Sequence, residues 1–143
     1  MKLEKVIAIS GKPGLYQVIS QSKTGVIVES LSDKKRFPVL SLHNVSTLND
    51  IAIYTYEKEV PLREVFLSMN GKENGKTSVD AKAGKQELMS YFSEVLPDYD
   101  EDRVYASNIK KVIAWYNSLV DSDFDFKALK EEIEKEKAEE SAE

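Results

Sequence analysis

The hydrophobic periodicity of this chain changes at Pro61, and this change is the feature that most restricts its fold. Before Pro61, short runs rich in β-branched and aromatic residues alternate with turn-forming residues, as they do in small β-sheets. After Pro61, apolar residues recur every three or four positions, as on one face of an amphipathic helix. The sequence therefore predicts an α+β protein with a strand-rich part first and a helical part second.

Short apolar segments separated by turn signals predict five strands within the first 56 residues. They are Val6–Ile9, Leu15–Ser20, Val26–Leu31, Phe37–Leu42 and Ile51–Tyr56. Five strands in so little chain are too few for a two-sheet sandwich. We therefore expect a strongly bent SH3-like β-barrel, because closure protects the sheet edges. The polar segment 44–50 is predicted as a helical turn before the last strand.

The helical pattern predicts four helices, at about 61–70, 81–96, 101–120 and 126–133. Pro61 suits the first position of the first helix, since proline lacks the N–H that a helix start leaves unused. Pro97 ends the second helix. Asp100 is predicted as the N-cap of the third, whose apolar face is the most regular in the chain.

These elements predict four segments: 1–70, an SH3-like barrel with an appended helix; 71–80, a linker; 81–133, a helical domain; and 134–143, an acidic tail. The linker is polar and contains glycine, which is typical of flexible connections. The tail has no large apolar residue to bury, so we expect it to be frayed or disordered. Residues 121–143 carry ten acidic against four basic residues, a charge of −6, whereas the whole chain carries −5.

Composition argues against several classes of protein. The chain contains no cysteine, so it forms no disulfide and no thiolate metal site. Its single histidine, His43, excludes a multi-histidine metal site and is interpreted as a turn residue. No segment approaches the roughly 20 apolar residues of a membrane helix, and the N-terminus lacks a signal-peptide core. We therefore expect a cytoplasmic protein with no membrane partner.

Two segments come close to ligand-binding loops, and each lacks a required residue. Segment 71–77 ends like a phosphate-binding P-loop, but its first glycine is one position too near the second. The aspartates of segment 121–125, with Glu132, match calcium-loop positions, but Phe126 occupies the position that requires glycine. We interpret the first segment as a polar linker and the aspartates as helix caps. The sequence thus predicts no catalytic residue, no cofactor, no metal and no small-molecule substrate.

The residues that remain as candidates for partner contact are one basic cluster, its aromatic neighbours and the single tryptophan: Lys34, Lys35, Arg36, Phe37, Tyr16 and Trp115. A basic hairpin beside aromatic rings suits phosphate contact and base stacking. The alternative is a solvated turn whose charges protect an edge strand. Trp115 lies off the apolar stripe of its helix, so it packs either between the two parts or on a partner.

Several stretches carry a resemblance to a known family: Ile9–Tyr16, Val28–Arg36, Val60–Phe66, Tyr91–Tyr99, Arg103–Tyr105 and Ile109–Asn117. The chain resembles small two-domain proteins of Bacteroidetes-type bacteria, classed as domains of unknown function. The resemblance extends to about Val120 and implies a cytoplasmic bacterial protein, with no activity or cofactor. We therefore predict a non-enzymatic binding or adaptor protein that contacts another protein. The alternative is a nucleic-acid-binding barrel that uses residues 34–36.

Overall fold

The computed structural model describes residues 3–9, 14–40 and 45–141, and these residues form a mixed α+β structure. The strands are β1 Val6–Ile9, β2 Tyr16–Ser22, β3 Gly25–Ser30, β4 Arg36–Leu40, β5 Val45–Thr47, β6 Ala52–Tyr54 and β7 Glu59–Pro61. The helices are α1 Leu62–Lys72, α2 Lys85–Val95, α3 Ala106–Asp121 and α4 Phe126–Ser141. The predicted order of strands first and helices second is confirmed.

The first five strands form one antiparallel sheet in the order β4-β3-β2-β1-β5. Strand β1 lies between β2 and β5, with Ile7 opposite Tyr16 on one side and opposite Thr47 on the other. Strands β4 and β5 are at opposite edges and do not pair with each other within the described residues. The sheet is therefore open, and the closed SH3-like barrel that we predicted is not confirmed.

The fifth strand of this sheet is not the one that the sequence predicts. Val45–Thr47, expected to belong to a helical turn, pairs with β1, and only Leu48–Asp50 forms the turn. An edge strand has one unpaired side and need not carry a continuous apolar face, so the polar composition of β5 conceals it. The predicted strand at 51–56 instead contributes β6, which pairs with β7 in a separate two-stranded sheet.

Buried apolar side chains form two clusters. The smaller cluster lies within the five-stranded sheet and consists of Ile7, Ile9, Tyr16, Val28 and Val39. The larger cluster joins the strand-rich part to the helices, since it contains Leu48 and Ile53 together with Phe66 and Tyr116. The rings of Phe66 on α1 and Tyr116 on α3 lie 6.5 Å apart in this larger cluster. The two parts predicted from the sequence therefore share one core.

Helix α3 begins later than the sequence predicts, at Ala106 rather than just after Asp100. Oδ1 of Asp100 accepts a hydrogen bond from the N–H of Asp102 (2.9 Å), which stabilises a separate turn. The helix start is capped instead by Asn108, whose Oδ1 accepts the N–H of Tyr105 (2.9 Å). An aspartate caps a turn and a helix by the same hydrogen bond, so the sequence alone does not distinguish them.

The segment predicted as a linker, 71–80, is bonded to helix α3. Oδ1 of Asn117 accepts the N–H of Ser78 (2.7 Å) and its hydroxyl (2.9 Å). Nδ2 of Asn117 donates to the carbonyl of Val79 (3.0 Å). A single amide side chain therefore makes three hydrogen bonds that fix this polar segment against the helix.

Two tyrosines fix the beginning of the same segment. The hydroxyl of Tyr91 donates to Oε1 of Glu73 (3.1 Å), and the hydroxyl of Tyr116 donates to the carbonyl of Lys76 (2.7 Å). Burial raises the pKa of Tyr91, and the negative charge of Glu73 raises it further. Burial also raises the pKa of Tyr116. Both hydroxyls are therefore held in the neutral, hydrogen-bond-donating form.

Helix α4 continues to Ser141, through the tail that we expected to be frayed or disordered. Two ion pairs join it to α1: Arg63 to Glu136 (2.7 Å) and Lys137 to Glu64 (2.9 Å).

At the start of α4, Oδ1 of Asp125 accepts the N–H of Ala128 (3.0 Å), so the predicted capping role of that aspartate is confirmed.

Candidate functional site

The connection between β3 and β4 carries the predicted basic cluster. Lys34 has a positive φ of 62°, which turns the chain back toward β4. The N–H of Lys35 donates to Oδ1 of Asp33 (3.0 Å), and this hydrogen bond lowers the pKa of the Asp33 carboxyl. Lys34, Lys35 and Arg36 are exposed, and Nε of Arg36 lies 3.8 Å from Oε1 of Glu29. The loop thus presents three cations to solvent, one of them close to a carboxylate.

Tyr16 and Phe37, the aromatic residues predicted to accompany this cluster, pack against each other. Their ring centroids are 5.4 Å apart in a T-shaped arrangement. Tyr16 is only 8% exposed and belongs to the smaller core cluster, against which Phe37 also packs. These rings contribute to the core, so little of Tyr16 remains for a ligand to contact.

Trp115 lies elsewhere, in a groove of about 160 Å³ between α3 and the segment that contains β6. Its buried wall includes Ile53, Val104 and Val112, while Trp115 is half-buried and also packs against the larger core cluster. No described residue that lines the groove belongs to the basic cluster. The structure therefore separates Trp115 from the other predicted contact residues.

Arg103 and Tyr54 form one end of this groove. The guanidinium carbon of Arg103 lies 5.3 Å from the centre of the Tyr54 ring, a cation–π contact. Nε of Arg103 is 3.5 Å from Oδ2 of Asp100. A second depression of about 200 Å³, which includes Tyr56, lies on the other side of this stacked pair. Tyr54 and Arg103 line both the groove and this second depression.

The loop that presents Arg103 is attached to β6 by backbone hydrogen bonds. The N–H of Tyr56 donates to the carbonyl of Asp98 (3.0 Å), and the N–H of Asp100 donates to the carbonyl of Tyr54 (2.9 Å). Thr55 and Tyr99 form an isolated antiparallel bridge between these two bonds. This backbone pairing holds the loop beside β6, where the Arg103 side chain contacts the Tyr54 ring.

Several large aromatic side chains at this end of the molecule are exposed: Tyr54 at 41%, Tyr56 at 64% and Tyr105 at 63%. We define the aromatic surface as these three tyrosines with Arg103 and Trp115. Only Trp115 among them is predicted as a contact residue from the sequence. A signal for Tyr54 and Tyr56 was present, because side chains alternate between the two faces of an extended segment. Ile51 and Ile53 face the core, so the tyrosines at 54 and 56 face the other side.

Neither a metal-binding cluster nor a membrane-spanning helix is present in the part of the chain that the structure describes. No group of three or more His, Cys, Asp or Glu side chains there is arranged to hold a metal ion. Likewise, no helix among these residues has both the length and the apolar character to cross a bilayer. His43, interpreted as a turn residue, lies outside the described residues.

Comparison with known proteins identifies relatives of most of the chain. Residues 3–48 match one family model and residues 51–119 another, described as domains of unknown function DUF5606 and DUF6852. A solution NMR structure of a protein from Bacteroides vulgatus is 47% identical, covers 87% of this chain and 89% of that one, and has a TM-score of 0.72. The chain belongs to the family that combines these two domains, which we call the DUF5606–DUF6852 family. No curated protein matches the chain.

The DUF5606–DUF6852 family assignment confirms the resemblance inferred from the sequence. The second family model contains the whole aromatic surface, and the first contains the basic cluster. The Bacteroides alignment is longer than either model alone, so the two segments occur together in that relative as well. The acidic residues after position 119 lie outside both models.

Proposed function

We propose that this protein is a non-enzymatic binding protein that recognises another protein through the aromatic surface. The observation that carries the proposal is the exposure of Tyr54, which lines the groove with Arg103 and Trp115, and of Tyr56, which lines the adjoining depression with Tyr54 and Arg103. Tyrosine, tryptophan and arginine are the residue types most enriched at interface positions that dominate binding energy. Isolated exposed tyrosines are ordinary, whereas several beside an apolar groove are typical of interaction sites.

The size of the groove supports a macromolecular partner over a small-molecule ligand. Small-molecule sites usually enclose about 300–1,000 Å³, and this groove offers about 160 Å³. A volume near 150 Å³ is enough for one benzene-sized group. The groove therefore suits a single side chain from a larger partner.

The alternative function, nucleic-acid binding at Lys34, Lys35 and Arg36, has weaker support. The three side chains are exposed, which phosphate contact requires. However, base stacking needs an accessible ring, and Tyr16 is buried against Phe37. The two candidate surfaces share no residue, so variants of each test the two functions separately.

Affinity capture from a lysate of the native host tests the proposal, with and without nuclease. The bait proteins are the full wild-type chain, the double variant Tyr54→Ala/Tyr56→Ala and the triple variant Lys34→Ala/Lys35→Ala/Arg36→Ala. We expect partner proteins that survive nuclease, bind the triple variant and are lost from the double variant. Binding by each purified partner then confirms a direct contact. Capture that depends on residues 34–36 and disappears with nuclease would favour the nucleic-acid alternative instead.

A further inference from the structure

We propose that the groove beside Trp115 is a subsite for an acidic peptide segment, which inserts one bulky apolar side chain next to a carboxylate held by Lys111 and Arg103. This inference rests on the proposed function and specifies the chemistry of the partner. It is carried by three properties of the groove: an apolar wall, a volume that fits one side chain, and a rim whose free polar groups are hydrogen-bond donors.

The apolar wall provides the driving force for insertion. Val104, Val112 and Ile53 are each at most 6% exposed and line the groove together with half-buried Ile51. A leucine or phenylalanine side chain placed against them is partly removed from water, which favours its insertion. The volume of about 160 Å³ limits the insertion to one such side chain.

The charged side chains on the rim of the groove are all positive. Lys111 and Arg103 are exposed cations, and no carboxylate is among the described residues that line the groove. Among the described residues Lys111 makes no ion pair, and the ion pair of Arg103 with Asp100 is formed through its Nε at 3.5 Å. Both cations thus retain donors for a ligand carboxylate.

The Asn108 amide and the Trp115 indole on the rim also offer hydrogen-bond donors, while the Tyr54 hydroxyl can donate or accept. Oδ1 of Asn108 is already occupied by the N–H of Tyr105, which leaves its Nδ2 to donate outward. Nε1 of Trp115 has no hydrogen-bond partner among the described residues and is not a buried unsatisfied atom. Lysine, arginine, the amide nitrogen and the indole all donate, so the matching ligand is rich in acceptors.

An acidic peptide satisfies these requirements better than a nucleic acid. Both offer acceptors, but the buried wall is aliphatic (Ile53, Val104 and Val112), so it suits an aliphatic or aromatic side chain better than it suits a phosphate or a stacked base. The chain as a whole also carries a net charge of −5, which disfavours a polyanion that must approach over an extended surface. A short acidic segment needs only the local positive rim, and it brings its own apolar side chain.

The experiment begins with a phage-displayed library of random peptides selected on the full wild-type chain. We expect the enriched peptides to combine Asp or Glu with a nearby Leu, Ile, Phe or Trp. A synthetic copy of the most enriched peptide is then titrated into ¹⁵N-labelled protein. Because the chain has a single tryptophan, its one indole N–H resonance reports directly on the groove. That resonance should shift as the peptide saturates the protein.

Lys111→Glu and Lys110→Glu form a matched pair of variants. They are neighbours on α3 and change the net charge equally, but only Lys111 lines the groove. We expect Lys111→Glu to weaken peptide binding at least about tenfold, because it replaces attraction by repulsion. Lys110→Glu should bind like the wild type. Since both lysines are exposed, both variants should fold.

Three results would overturn the inference: no enriched peptide, enriched peptides without acidic residues, or equal binding by the two variants. A single-stranded oligonucleotide that shifts the indole resonance in a Lys111-dependent manner would also overturn it, in favour of nucleic acid. If any of these occurs while lysate partners still require Tyr54 and Tyr56, the proposed function stands and the groove assignment fails. If the lysate partners are also independent of those tyrosines, both fail.

Discussion

The basic loop of residues 31–37 and the groove beside Trp115 are built from the same residue types and differ in how the fold uses them. Each combines cations with aromatic rings. Beside the loop, the ring of Tyr16 on β2 is buried against Phe37, while Lys34, Lys35 and Arg36 are exposed. In the groove, the Tyr54 ring is exposed and carries Arg103 on its face. Composition therefore identifies both regions as candidates, and burial separates them.

The largest expected effect tests whether Tyr16 serves the core and Tyr56 does not. Tyr16→Ala should lower the free energy of unfolding by about 3–5 kcal/mol, since it removes a buried ring from the smaller core cluster. Tyr56→Ala should change it by no more than about 0.5 kcal/mol, because Tyr56 is 64% exposed. Urea denaturation followed by circular dichroism measures both. Equal losses at the two positions would remove the distinction between the regions.

A smaller effect should separate helix α3, which carries part of the groove, from the sheet that carries the basic loop. Asn117→Ala leaves the Ser78 N–H and the Val79 carbonyl without their partner and should cost about 1–3 kcal/mol. In the variant, the Ser78 N–H should exchange faster than in the wild type. The N–H of Val28 in β3 should keep its wild-type exchange rate under conditions in which exchange does not require global unfolding. Equal acceleration at Ser78 and Val28 would mean that the two regions open as one unit.

The smallest expected effect is a loss of stability at alkaline pH that depends on Tyr91, on helix α2. The folded-state pKa of Tyr91 is raised above its ordinary value near 10, so its contribution to stability is fully present below about pH 10 and is lost above it. Tyr91→Phe should cost about 0.5–1.5 kcal/mol at pH 8 by removing the hydrogen bond to Glu73. It should also reduce the loss of stability between pH 10 and 11, measured by urea denaturation. An unchanged alkaline slope would contradict this assignment.

Regular hydrophobic patterns predict the elements of this fold well, and polar segments do not. Strand β1 occupies the predicted Val6–Ile9, because its apolar residues leave little choice. Strand β5 is missed because Val45–Thr47 is short, polar and at an edge. The start of α3 is misplaced because Asp100 caps a turn by the hydrogen bond that would cap a helix. Hydrogen-bond partners of such residues are determined by tertiary structure, which local sequence does not contain.

The candidate site shows the same limit in another form. Trp115 is identified from its position off the apolar stripe of α3. Tyr54 and Arg103 are not, because their contact joins positions 49 residues apart and depends on the pairing of Thr55 with Tyr99. Conversely, Tyr16 and Phe37 are suggested as contacts because the predicted small barrel places aromatic rings beside the basic hairpin, although the ring of Tyr16 is used in the core. The sequence indicates which residues are available, and the fold decides which of them remain exposed.

The position of the larger core cluster has a consequence for how such a chain evolves. The two family models meet between residues 48 and 51, yet Leu48 and Ile53, on either side of that junction, belong to the same cluster. Domains that recombine freely are separated by linkers that few contacts cross. Here a recombination event at the junction would divide a hydrophobic core and expose both halves. We therefore expect the two segments to be inherited as a pair, with substitutions at the shared core correlated across the junction.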